Sequence, residues 1–154
     1  MSIDTHRHFH DELSHVKVRL LTMSGEAEAA LGLAVEALLE RDSEKARRVI
    51  AGDRVIDAME VEIEEQCINL LALQQPMARD LRMLTSALKI ANDLERVGDH
   101  AVNIAESTER LLQTRPIAPE PEMVEMARLA REMLSDALEA FIRGDAAGRP
   151  ASSP

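Results

Sequence analysis

The sequence predicts an all-α fold, an antiparallel helical bundle, and three observations carry that expectation. Apolar residues recur at steps of three and four along four separate stretches, as amphipathic helices require. The core must be aliphatic, because 45% of the 154 residues are hydrophobic yet there is no Trp, no Tyr and only two Phe. Gly and Pro, six of each, are scarce outside a few junctions, which suits helices packed side by side. A chain of this length can bury one real core.

The first helix is expected from about Asp11 to Arg41. Its apolar positions are Leu13, Val16, Leu20, Met23, Ala27, Ala30 or Leu31, Ala34 and Leu38. Ahead of it stand His6, His8 and His10. Positions two apart on a helix face away from one another, so these three imidazoles should not converge, and solvated His at a frayed helix start is the expectation. Glu12 and His15 form an ExxH unit, the spacing used in di-iron four-helix bundles; those need two such units, and this chain has one.

Asp42 or Ser43 should cap the second helix, with Glu44 in its first turn. Its seam runs Val49, Asp53, Ile56, Glu60, Ile63, Cys67, Leu70 and Gln74, with acidic residues where a bundle ordinarily places Leu or Ile. Cys67, the single cysteine, can form no internal disulfide and reads as a small core residue. Pro76 then breaks the pattern. The third helix follows, with Met77, Leu81, Leu84, Leu88, Ala91, Glu95, Gly98, Val102 and Ala105 on its seam. Ile90, Leu94, Val97, Ala101 and Ile104 widen that face. These three helices, residues 1–113, form the expected bundle.

A Pro-rich linker is expected at 114–121, a fourth amphipathic helix at 122–143 and a flexible tail at 144–154. The fourth helix repeats the first at an offset of 103 residues. Met23, Ala27, Leu31, Ala34, Glu36, Ala37 and Asp42 reappear as Met126, Ala130, Leu134, Ala137, Glu139, Ala140 and Asp145. It should therefore open a second, incomplete three-helix repeat, a C-terminally short form. Its stripe of Met123, Met126, Ala130, Met133, Leu134, Ala137, Leu138, Phe141 and Ile142 needs a partner. The linker should direct the helix away from the first bundle, which predicts a homo-oligomer joined through residues 122–143.

Two acidic pairs are the main functional signal. Asp53 and Asp57, and again Glu95 and Asp99, stand four residues apart, so each pair shares one helix face. Asp57 precedes Pro76 by 19 residues and Glu95 follows it by 19; for Asp53 and Asp99 the count is 23. An antiparallel hairpin turning at Pro76 would bring all four to one height, roughly 28 Å from the turn at 1.5 Å per residue. Asp53 should face Asp99, and Asp57 should face Glu95. Carboxylates held together repel, so they must take up protons, pair with Arg54 and Arg96, or share a cation. An all-oxygen set suits hard cations. His100 points about 100° away from Asp99, whereas Asn103 lies one turn beyond it and is the better supporting residue.

The net charge of −10 leaves no basic stripe for nucleic acid and disfavours attachment to an anionic membrane. There is no signal peptide and no apolar run near 18 residues, which implies cytoplasmic residence. No Ser/His/Asp set and no glycine-rich phosphate loop is legible, so an enzyme is not expected. A carboxylate-bridged metalloenzyme and a purely structural helical module remain the alternatives.

Three motifs carry a resemblance: DRVIDAMEVEIEE from Asp53, LALQQPMARDLR from Leu71 and DLERVGDHAVNIAE from Asp93. Together, in this order, they resemble the PhoU family of phosphate-uptake regulators over roughly residues 6–145. The resemblance implies tandem three-helix bundles, each binding a metal cluster through E(D)xxxD motifs on two helices. Asp53, Asp57, Glu95 and Asp99 match those motifs, and iron, zinc, manganese or magnesium would be the metal. It further implies a negative regulator of phosphate acquisition, peripheral to the inner membrane through its partners. Those partners would be the phosphate transporter ATPase and the phosphate-sensing histidine kinase.

Overall fold

The computed structural model describes residues 2–116, 118 and 120–143, with the side chains of 2–7 and 142 outside that description. It is built of four helices: α1 (Ser2–Glu40), α2 (Ser43–Gln74), α3 (Arg79–Leu111) and α4 (Pro121–Arg143). The first three run up, down and up, and each packs against the other two. The expected tail at 144–154, with Asp145 of the repeat, and the side chains of His6 and Ile142 lie outside the described residues.

Helix α1 starts nine residues earlier than its periodicity indicates, at Ser2 rather than near Asp11. Phe9 supplies the reason. It is buried with Leu13 and Val16 at the end of the main core, and that packing anchors a turn that its neighbouring His residues would leave unsupported. His8 and His10 on either side are exposed. At the other end, Asp42 caps α2 by accepting hydrogen bonds from the backbone N–H groups of Glu44 (2.9 Å) and Lys45 (3.0 Å). Arg41 takes a left-handed conformation in this short connection, φ 57°. Its guanidinium donates to the carbonyls of Leu111 (3.0 Å) and Thr114 (3.1 Å), so one side chain ties the α1–α2 turn to the end of α3.

The core has two parts. Towards the α2–α3 turn it is built of large side chains, among them Leu20, Met23, Ile63, Cys67, Leu84 and Leu94. Towards the other end it is Ala34, Ala37, Ala46, Val49, Ala101 and Ala105, small residues that let three helix backbones come close. Cys67 is fully enclosed, and burial pushes its thiol up to about 11, which keeps it protonated and unreactive. The buried row of α3 is Leu84, Ala87, Ala91, Leu94, Gly98, Ala101, Ala105 and Thr108. Met77 and Leu81, expected on that seam, are instead exposed: Met77 lies in the turn before α3 begins, and Leu81 lies in the first turn of α3.

Helix α4 corrects one expectation. The linker does not direct it away from the bundle; α4 lies back along α1. Leu138 is buried there, and Leu134 and Phe141 pack against the main core. Gly32 lets the Arg131 guanidinium lie on α1, 3.3 Å from where a Cβ would stand. The reason is the width of the apolar face. Residues 134, 138 and 141 occupy one edge of it and seat on α1, whereas Met126 and Met133 on the other edge stay 68% and 71% exposed.

A truncation pair should separate these two layers. Leu84→Ala, in the centre of the core, should cost on the order of 3 kcal/mol in urea unfolding. Leu138→Ala should cost less than half as much, and hydrogen exchange should speed up across 121–143 while α1–α3 keep their protection.

Candidate metal centre

The α2–α3 hairpin turns between Gln74 and Arg79. Gln75 ends α2 in the left-handed conformation, φ 45°, and α3 then runs back along the same face. The hairpin gathers the acidic residues where the core changes from large side chains to alanine. Gly98 is the pivot. A Cβ there would stand 3.1 Å from Ile56 Cδ1 and 3.2 Å from Asp53 Oδ1. With no side chain at 98, Ile56 and the Asp53 carboxylate lie directly against the α3 backbone.

Asp53 and Glu95 are partly buried, and Asp57 and Asp99 are exposed beside them. The electrostatics show that the hairpin has brought the pairs together. Burial first, then the charges of Asp57 and Asp99, hold the Asp53 carboxyl above its ordinary range. Glu95 is raised too, by burial, by the charge of Asp99 and a carboxyl–carboxyl hydrogen bond with it, and by the charges of Glu60 and Asp57. Glu60 is thus a fifth member. Its place on the α2 seam marked it, and the Asn92 amide donates to it at 3.2 Å.

No Lys or Arg neutralises this group among the described residues. Arg96 turns to Asp93, at 3.9 Å, and Arg54 points into solvent and pairs with none of the four. The ion-pair explanation for these carboxylates therefore fails. His100 is exposed beside Asp99. Asn103, expected to support Asp99, makes no hydrogen bond to it among the described residues; it lines an open groove with His100, Ile104 and Ser107. The His8–Glu12–His15 set stays loose, with each imidazole 4.0 Å from the Glu12 carboxylate.

The donor chemistry fits a hard cation: oxygen atoms only, and anionic. Among the described residues no three His, Cys, Asp or Glu side chains already stand in a coordinating arrangement. Asp57 and Asp99 face solvent, so rotation of two exposed side chains is what a bound ion would require of them.

Comparison with known proteins now bears on this arrangement. The PhoU domain family matches residues 20–108, a span that includes all four carboxylates. The chain belongs to the PhoU family. It is 41% identical over 134 residues to a phosphate-specific transport system accessory protein PhoU homolog of Aquifex aeolicus, covering 87% of this chain and 61% of that one. It is 38% identical over 141 residues to the phosphate-specific transport system accessory protein PhoU of Escherichia coli, covering 89% and 57%. The crystal structure of PhoU from Pseudomonas aeruginosa superposes with a TM-score of 0.82 at 37% identity, over 88% of this chain and 65% of that one. The chain thus spans about three-fifths of the length of these PhoU relatives. The resemblance carried by the three motifs is a true family relationship, and the all-α PhoU-like bundle is the fold.

The raised carboxyls fix the sign of a pH effect in metal-free protein. Asp53 and Glu95 hold protons more tightly folded than unfolded, so their repulsion is fully present above the raised folded values. It is relieved as pH falls, and is gone below the ordinary values of 3.8 and 4.5. Asp53→Asn should therefore raise the melting temperature at pH 7 by about 1–2 °C and leave it unchanged near the acid end. A melting series in chelator across that range checks this. Gly98→Val should cost about 1–3 kcal/mol by overpacking against Ile56.

Proposed function

We propose that this chain is a metal-binding regulator of phosphate uptake and phosphate-starvation signalling, acting by protein contact and not by turnover. One observation supports it above the others: Asp53, Asp57, Glu95 and Asp99 lie close enough along the α2–α3 hairpin for the Asp53 and Glu95 carboxyls to be raised by their acidic neighbours, and among the described residues no Lys or Arg pairs with them. The relatives' names supply the physiological setting. A bound Mg²⁺, Mn²⁺, iron or zinc ion would be held by these four residues and would cancel their mutual repulsion. Asp53 and Asp57 belong to α2, and Glu95 and Asp99 to α3, so shared ligation would tie the two long arms of the hairpin together. Glu60 and Asn92 would shape the field at one edge of the site.

A regulator of this kind works as a cytoplasmic surface for other proteins. Among the described residues no helix is long and apolar enough to cross a membrane. Attachment to the inner membrane would therefore come through partners, and we propose the phosphate transporter ATPase and the phosphate-sensing histidine kinase as those partners. The exposed edge of α4, with Met126 and Met133, would provide the contact for a homo-oligomer.

Metal analysis of protein purified without chelator, followed by melting of stripped protein with each ion added, tests the site. An ion at 100 times its Kd should stabilise by about 2.7 kcal/mol, and Asp99→Asn should abolish that gain. A stripped protein that ignores Mn²⁺, Fe²⁺, Mg²⁺ and Zn²⁺ would leave the fold as a structural module. Hydrolysis of phosphoesters that disappears in Asp99→Asn would make the site an enzyme.

A further inference from the structure

We infer that the α2–α3 turn is a docking wedge for a protein partner whose surface offers an apolar notch bordered by carboxylates. This rests on the reading above that the chain acts through protein contacts, and it names where on the fold one such contact is made. Leu73 and Met77 are the most exposed large apolar side chains among the described residues, at 79% and 82%, and Leu81 beside them is 41% exposed. Isolated exposed apolar residues are ordinary, but these three cluster at one end of the bundle.

The backbone holds them out. Between the two helices lie only Gln75, Pro76, Met77 and Ala78, and no glycine. Gln75 has φ 45°, and Ala78 has φ 49° with ψ −105°, a combination that a residue with a Cβ rarely adopts. A segment needed only to reverse the chain would place glycine there. This one keeps its side chains and carries the strain, with Pro76 limiting the freedom of the turn.

The charge of this end identifies the partner. Around the turn itself, from Leu70 to Thr85, the chain has two cations, Arg79 and Arg82, and a single anion, Asp80. Arg79 and Arg82 are exposed and enter no ion pair among the described residues. The molecule as a whole carries −10, so its long faces are repelled by acidic surfaces while this tip is attracted to them. An anionic bilayer would meet that repulsion over its whole extent. A protein notch receives the tip alone, with Leu73 and Met77 in an apolar floor and the two guanidiniums on a carboxylate rim. The acidic cluster lies roughly 28 Å away along the hairpin, so the two surfaces can be altered independently.

The test uses the intact chain with the purified transporter ATPase and the purified cytoplasmic region of the sensor kinase as probes. The variants are Met77→Glu, the double change Arg79→Glu with Arg82→Glu, and Val18→Glu as a control on an exposed side of α1. Melting temperatures should match the parent, because none of these side chains is in the core. Both tip variants should weaken binding to one probe by about tenfold or more, Met77→Leu should restore it, and Val18→Glu should leave it intact. If the parent binds and the tip variants bind equally well, the wedge is wrong and the regulatory reading stands. If the parent binds neither probe, both fall. Flotation of the parent with phosphatidylcholine–phosphatidylglycerol vesicles, lost in Met77→Glu, would replace the protein notch with a lipid surface and overturn the inference.

Discussion

The close approach of α2 and α3 at Gly98 is the contact on which the rest of the structure depends. Ile56 fills the space that a side chain at 98 would occupy, and the Asp53 carboxylate lies beside it. Because the backbones meet here, the alanine-rich part of the core can close around Ala46, Ala101 and Ala105 without large side chains. The same approach forces acidic residues from two helices into one electrostatic neighbourhood. Packing and charge are thus set by one missing Cβ, and a larger residue would disturb both.

That arrangement costs stability in the metal-free chain, since Asp53 and Glu95 are both pushed towards their protonated forms. A bundle selected only for stability would place apolar residues at these seam positions, or a basic residue opposite them. Here the basic neighbours are directed elsewhere, Arg96 to Asp93 among them. At the far end of the bundle, ionic contacts are made freely: Lys45 reaches Glu36 and Glu40, and Glu109 receives both Ser43 and Arg47. The chain therefore has the means to neutralise carboxylates and, among the described residues, does not use them beside Asp53, Asp57, Glu95 and Asp99.

Helix α4 shows how a repeat in sequence can take a different seat in space. Met23, Ala27 and Ala34 of α1 are fully buried, whereas their counterparts Met126, Ala130 and Ala137 are exposed. The helix is the same amphipathic element, but it packs through the edge carrying Leu134, Leu138 and Phe141. Its seat on α1 has Gly32 under Arg131, a contact between residues almost one hundred positions apart.

By itself the sequence determined what local periodicity and chain symmetry can carry: four helices, the Asp42 cap, the α2 seam and the equal counts from Pro76 that bring two acidic pairs to one height. It determined the family as well, through three motifs that lie along that hairpin. Only the tertiary structure decided the matters that depend on partners distant in the chain. Phe9 extends α1 because a core exists for it to enter, and Met77 leaves the seam because α3 begins only after it, at Arg79. Arg54 and Arg96 stay out of the carboxylates through side-chain directions that helical spacing does not specify. Which edge of α4 is buried was equally beyond reach, because a stripe wide enough for two neighbours is compatible with either until one of them is in place.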